Sequence, residues 1–250
     1  MNFFQKTAKK IRDFFSRRGY TCDSCGGELF DYPDHRFCAE CESKMPRPTN
    51  ACDKCGRQKT AEGICTDCKS NLPKFTRGFS PFIYRDHNAM LINRMKNGNP
   101  RLALYFGEKL ADYFVESYLK ANAEEETLIL PVPMTKEKLR ERGYNQATHL
   151  AESAYERLRA LGYSVAIDTE LLQKRKNTAP QKRMTYAERM ENVAGAYHVH
   201  KRKECRGKTV LLIDDVMTTG ATASECSARL FGAGADKVFF LAASALEERK

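Results

Sequence analysis

The stretch from Thr209 to Ser224, TVLLIDDVMTTGATAS, decides the fold. It opens on a β-branched and aliphatic run, Val210, Leu211, Leu212 and Ile213, of the kind that fills a central strand covered on both faces. Two acids follow, Asp214 and Asp215, at the carboxyl end of that strand, which is where open α/β sheets bind their ligands. Next, Thr218, Thr219, Gly220, Ala221 and Thr222 form a small hydroxyl-bearing loop that opens a helix. Backbone N–H groups at a helix N-terminus, joined by threonine hydroxyls, make an anion cradle, and a glycine lets the backbone approach a phosphate. An ordinary solvated turn does not call for an aliphatic strand, two acids and such a loop in this order.

Working outward, the texture from Phe75 onward alternates helix and strand signals, which predicts an α/β domain with a largely parallel sheet. Helices are expected over 88–96, 102–120, 145–160, 185–192 and 221–232. Strands are expected from Thr127, near 164–168, and over 208–213 and 237–243. Upstream the composition changes. Eight of the ten cysteines fall in four C-x2-C pairs: Cys22/Cys25, Cys38/Cys41, Cys52/Cys55 and Cys65/Cys68. A two-residue gap lets both sulfurs of a tight turn face one cation, and two such knuckles complete the four-thiolate shell that zinc accepts. Two structural Zn2+ ions are therefore expected. Sequential pairing is favoured over interleaved pairing, because the intervening residues suit short hairpins and Pro46 and Pro48 stand between the halves. Four cysteines per ion leave no open coordination position, so these metals would fold the segment and take no part in chemistry.

The domain boundaries expected are 1–20, 21–72 and 73–250. Residues 1–20 place Phe3, Phe4, Ile11, Phe14 and Phe15 on one helical face, with basic residues mostly around the rest. Such a helix either docks on the protein or meets a membrane surface or nucleic acid. The whole chain of 250 residues has a formal charge of +10. Two metal-bound thiolate sets would lower that to about +6. The basic excess is concentrated in residues 1–20, 173–189 and 198–208, which carry +5, +5 and +4 and make polyanions the natural partners. No apolar run approaches a membrane span and no secretory leader pattern is visible, so a cytoplasmic location is expected.

The run IDDVMTTGAT resembles the phosphoribosyl diphosphate (PRPP) signature of type I phosphoribosyltransferases. Together with the cysteine knuckles, LPVPMTKEKLRERGYNQ and KNTAPQKRMTYAERMENVAGAY, it resembles the ComF family of competence-associated proteins, with a double zinc ribbon ahead of a phosphoribosyltransferase domain. The element RGYNQ and the array Thr178, Gln181, Arg189 and Asn192 narrow the likeness to ComF. The resemblance implies that Asp214 and Asp215 face ribose hydroxyls and that Thr218 to Thr222 hold the 5-phosphate, with Val216 and Met217 of the signature beside them. It further implies that Val132 and Pro133 lie in the loop approaching pyrophosphate. Arg142, Asn145 and Gln146 belong to the RGYNQ element, and Gln181 and Arg189 are also substrate-binding. Lys174 to Arg183 matches a mobile loop that closes over the site. The acceptor would be held by a hood built from about residues 75–100.

Two functions from different classes follow. One is a phosphoribosyltransferase that uses PRPP with Mg2+. Ribosyl transfer passes through an oxocarbenium-like centre while pyrophosphate leaves, so charge compensation and water exclusion are needed and a covalent nucleophile is not. The other is a module that senses PRPP or a nucleotide, handles single-stranded nucleic acid, and does not turn its ligand over. ComF resemblance implies competence and DNA uptake, with single-stranded DNA or a DNA-uptake helicase of the competence machinery as partners. Elemental analysis of the reduced, folded protein should return about two zinc per chain; a value near zero would remove the structural-metal reading.

Overall fold

A computed structural model describes residues 21–31, 35–60, 62–123, 126–175 and 186–248. The basic helix expected over 1–20 lies outside the described residues. The chain divides into two compact units, Met1–Met45 and Pro46–Lys250.

In the smaller unit a single bridge between Thr21 and Glu28 closes the first knuckle. The Gly26 amide donates to Cys22 O at 2.8 Å, with Gly26 at φ 78. Helix α1, Ala39–Ser43, starts immediately after Cys38 and buries Cys41. Among the described residues of this unit the buried apolar side chains besides cysteine are Leu29, Phe37 and Met45, too few to fold these residues unaided.

The larger unit begins with the same motif again. Ala51 bridges Gln58, the Gly56 amide donates to Cys52 O at 2.8 Å, and helix α2, Thr66–Ser70, follows Cys65. Here the knuckle packs into a large core. Strand β1, Arg77–Phe79, passes so close that a Cβ on Gly56 would lie 2.6 Å from Gly78 O, and one on Gly78 would lie 2.7 Å from Cys55 O. Only glycine permits that approach, and Gly56 at φ 77 also needs the left-handed region. Gly78 N donates to Lys54 O at 2.8 Å, and Lys54 Nζ caps the carbonyls of Phe75 and Thr76. Beyond the last strand, Glu248 accepts from the amides of Thr60 (2.9 Å) and Thr66 (2.6 Å).

Strand β2, Phe82–Ile83, then leads into helices α3, Asp86–Lys96, and α4, Leu102–Ser117. Strand β3 is Thr127–Pro131, followed by helices α5, Lys136–Arg142, and α6, Gln146–Ala160. After strand β4, Val165–Ile167, come β5, Leu172–Lys174, helix α7, Tyr186–Val193, and β6, Tyr197–Val199. Strand β7, Thr209–Met217, helix α8, Ala221–Gly232, and strand β8, Lys237–Ala245, complete the chain. The main sheet runs β1-β8-β7-β3-β4, with β2 also on β8, and each of its pairings is parallel. Parallel neighbours need crossovers, and the helices supply them on both faces. This is the mostly parallel, helix-flanked α/β architecture expected from the aliphatic strand pattern.

Alternation along the strands divides the core. On one face Leu128, Leu130, Val210, Leu212, Val238 and Phe240 share a cluster with Phe75, residues of α8 and all four cysteines of the second knuckle pair. On the other face Phe239 meets Phe114 of α4 at 5.5 Å between ring centroids. Helices α4 and α6 touch where Gly107 faces Ser153, whose hydroxyl donates to Leu104 O at 2.8 Å. The expected helices and strands are present within a few residues of their bounds. Strands β1, β2 and β5 and helix α5 were not foreseen, being short or, for α5, charged at every position but Leu139. The pair β5–β6 is antiparallel and separate from the main sheet, and it puts Lys174 in a strand where a loop was expected.

Substituting Gly78→Ala should cost about 1–3 kcal/mol in urea unfolding, because backbone stands on the other side of the contact and cannot yield. Gly232→Ala, with nothing within 4 Å of its Cβ, should be neutral or slightly stabilising. Equal unfolding midpoints for the two variants would contradict this packing.

Candidate active site

Strand β7 is buried along Thr209–Ile213 and emerges at its carboxyl end with Asp214 partly exposed and Asp215 buried. The Asp215 amide donates to Asp214 Oδ1 at 2.8 Å, which draws the two acids into one turn. Asp215 Oδ2 accepts from Gln146 Nε2 at 2.6 Å, and Oδ1 pairs with Lys96 Nζ at 3.2 Å. Arg142 Nη1 donates in turn to Gln146 Oε1 at 3.0 Å, orienting that amide so that its NH2 faces the acid. Asn145 caps α6 by accepting from the Ala147 amide, and its Nδ2 donates to Val132 O at 3.1 Å. Val132 N donates to Ile213 O at 2.8 Å, tying the loop after β3 to the end of β7, with Pro133 partly exposed beside it.

After Val216 and Met217, the chain turns through Thr218 and Thr219 into α8. Gly220 sits at φ 78 as the N-cap residue, and the Ala221 amide donates to Thr219 Oγ1 at 3.4 Å. The turn is backed from below. Phe75 is fully buried, and its ring lies 3.8 Å from where a Cβ on Gly220 would stand. The Lys74 amide donates to Ser224 Oγ on the first turns of α8 at 3.0 Å. Thr222 bonds the side chain of Tyr197, over whose ring Lys174 Nζ stands at 5.2 Å from the centroid. Burial, and then the charge of Lys138, lower the Lys174 pKa, while Asp214 acts in the opposite direction.

The sequence-expected residues Asp214, Asp215, Asn145, Gln146, Arg142 and Val132 are thus joined by hydrogen bonds, and Thr218–Thr222 continue from the same strand. Gln181 and Thr178 lie outside the described residues, as does the side chain of Arg189 on α7. Lys96 was not anticipated. It ends a helix in the segment expected to form the hood, and no local signal separates it from the other basic residues of RMKNGNPR. Cys205 and Cys226 are buried and packed, and burial pushes the Cys205 thiol up to about 11.

The knuckles form two clusters, Cys22/Cys25/Cys38/Cys41 and Cys52/Cys55/Cys65/Cys68, in each of which the sulfurs lie within 4.8 Å of one another. Pairing is therefore sequential. A tetrahedral zinc–thiolate shell has sulfurs about 3.8 Å apart, and Cys25–Cys38 at 3.9 Å and Cys55–Cys65 at 3.6 Å match it. The donor set fits structural zinc. Backbone amides already point at the sulfurs, Cys38 N to Cys22 Sγ and Cys65 N to Cys52 Sγ, as the charge of a thiolate favours.

No family model matches the chain. Competence protein ComFC of Bacillus subtilis (strain 168) is 28% identical over 200 residues, covering 76% of this chain and 75% of that protein. Competence protein F of Haemophilus influenzae is 23% identical over 244 residues, 95% of this chain and 96% of that one. The chain is thus similar to these two competence proteins over most of its length. The DNA utilization protein YhgH of Escherichia coli O157:H7 is 23% identical over 204 residues, 81% and 87% of the two chains. Among solved structures, a hypoxanthine phosphoribosyltransferase from Staphylococcus aureus aligns with a TM-score of 0.36 at 9% identity, covering 58% of this chain and 76% of that one.

Burial, and next the Asp215 carboxylate, raise the pKa of Asp214 from the ordinary 3.8 to about 7. The folded protein therefore holds this proton more tightly than the unfolded chain does. Its contribution to stability is complete below the unfolded value and is lost as pH rises through the folded one. Thermal unfolding of the ligand-free protein between about pH 4 and 7 should show stability falling with pH, and Asp214→Asn should remove that slope. A slope of the same size in the variant would assign it to another group.

Proposed function

We propose that this chain binds PRPP with Mg2+ at the end of β7 and transfers its phosphoribosyl group, in a process belonging to competence and DNA uptake. The observation that carries the reading is the continuity of two acids, a left-handed glycine and a helix N-terminus on one strand of a parallel sheet. Amides and hydroxyls of Thr218–Thr222 suit a 5-phosphate, because N–H groups at a helix N-terminus lack intrahelical acceptors and carry partial positive charge. Asp214 and Asp215 suit the ribose hydroxyls, and Val132 and Pro133, in the loop tied to the end of β7, suit a diphosphate beside them.

The oxygen-only carboxylate donors fit Mg2+, which when bound with the diphosphate would supply charge compensation for its departure. What the chain itself does is position and exclude. Gln146 and Lys96 hold Asp215 in one orientation, Arg142 holds Gln146, and Asn145 holds the β3 loop. Lys174, on its strand over Tyr197, brings a partly desolvated cation near Asp214. Residues of this kind stabilise a developing anion without supplying a nucleophile.

The second reading, a nucleotide-sensing module acting with single-stranded DNA or an uptake helicase, is favoured by the DNA-utilization relatives and by exposed Lys201, Arg202 and Lys203. In calorimetry, Asp215→Asn or Thr219→Ala should weaken PRPP–Mg2+ binding, by about tenfold or more for loss of one charged contact. Unchanged affinity would remove the site. Pyrophosphate release with a panel of nitrogenous bases separates turnover from sensing. Single-stranded DNA affinity that falls steeply with salt, without pyrophosphate release, would favour the module.

A further inference from the structure

Both oxygens of Asp215 are occupied by the protein itself. Gln146 takes Oδ2, and the ammonium of Lys96 takes Oδ1 at 3.2 Å, the Lys96 side chain being 23% exposed and that of Asp215 only 7%. A lysine at a helix end would ordinarily extend into solvent, so its inward course needs a cause. The cause is the way α3 is held. Leu91, Ile92 and Met95 are fully buried, and Asn88 Nδ2 donates to Ile83 O and Ser244 Oγ, each at 2.7 Å. The last turn is clamped by a residue of the RGYNQ element: Tyr144 Oη donates to Met95 O at 2.6 Å and accepts from Gly98 N at 3.1 Å. Lys96 lies between those two anchors. The residues following Tyr144, Asn145 and Gln146, reach Val132 and Asp215. One short element therefore fixes the carboxylate and its cation together.

We propose that Lys96 is the resident counter-ion of Asp215, that it screens the aspartate pair from a divalent cation arriving alone, and that metal consequently enters this site only together with an anionic sugar diphosphate. The proposal rests on the PRPP–Mg2+ reading above for the identity of that anion. The screening itself does not depend on that reading. A cation within a few ångströms of a buried carboxylate opposes a second cation strongly, because little water lies between them. An arriving diphosphate brings compensating negative charge, to which the ammonium can turn while the metal takes its place on the acid. Lys96 would then set the order of binding from the side of the hood, a segment in which the sequence offers no decisive polar pair.

The test measures Mn2+ binding by electron paramagnetic resonance in the absence of any nucleotide or sugar phosphate. Wild type should bind Mn2+ weakly at this site. Lys96→Met should bind at least about tenfold more tightly, and Lys96→Arg should return to the wild-type value. Because Lys96→Met leaves a buried acid without its partner, Tyr144→Phe serves as a second variant: it keeps the lysine but releases the end of α3, and should raise Mn2+ affinity by a smaller factor. The same Mn2+ affinity in wild type, Lys96→Met and Tyr144→Phe would overturn the screening. PRPP–Mg2+ calorimetry on wild type runs alongside. If PRPP fails to bind while Lys96→Met still gains Mn2+, the ligand reading fails and the counter-ion stands. If PRPP binds and Mn2+ affinity does not respond to Lys96, the counter-ion fails and the ligand reading stands.

Discussion

Carrying a carboxylate to the end of a strand that is buried on both faces strips it of water, and Asp215 is stable there only because other elements replace that water. Gln146 comes from the start of α6, Lys96 from the end of α3, and Arg142 from the end of α5 through Gln146. Uncompensated, a charge so placed would be among the most costly features of the fold; bonded on both oxygens it becomes a junction. The helices around the cleft are thereby committed to one arrangement. Asn145 and Tyr144, neighbours of Gln146 in sequence, pin the β3 loop and the α3 end to the same junction. Geometry at the site is thus a consequence of solvating one acid with protein.

A second dependence runs beneath the signature loop. The cysteines of the second knuckle pair belong to the same buried cluster as Phe75, Met217, Ala221 and Cys226. Their thiolates, if holding zinc, would stabilise more than a small ribbon. The knuckle fixes Gly56 against Gly78, and β1 and Phe75 follow from there to the underside of α8, where Phe75 also stacks on Phe240 at 5.7 Å. Glu248 closes the arrangement from the chain's other end by accepting from Thr60 and Thr66. The first cluster, with Cys25 exposed and Cys38 partly so, has few buried apolar side chains beside it among the described residues of its unit. Two copies of one motif have come to occupy unlike environments: four buried sulfurs in one, and two in the other.

The legibility of the fold in the sequence followed the strength of local signals. Strand β7 was readable because four consecutive aliphatic residues have few alternatives, and α8 because a glycine and threonines precede a helical run. Gly26 and Gly56, each directly after the second cysteine of a pair, take the left-handed conformation at φ 78 and 77. Strands β1 and β2 carry three and two residues, too few for a period to register. Lys174 looked like the start of a basic loop because the cross-strand pairing of Leu172–Lys174 with Tyr197–Val199 spans a long insertion, and such pairing leaves no mark on neighbouring residues. Lys96 was invisible for the same reason. Its role depends on Asp215, and the two come together only when α3 packs beside β7.

By itself the sequence determined a parallel α/β sheet, an acid pair and a threonine–glycine loop at the end of its central strand, and two four-cysteine sets. Each is written in contiguous residues whose chemistry or periodicity admits few alternatives. Tertiary structure alone decided that the cysteine pairs join sequentially, that the second set shares a core with the signature loop, and that Lys96 answers Asp215. Those outcomes depend on which surfaces meet after the chain closes on itself. Close packing and the need to replace lost water select among them, and neither constraint acts on residues that are merely adjacent in sequence.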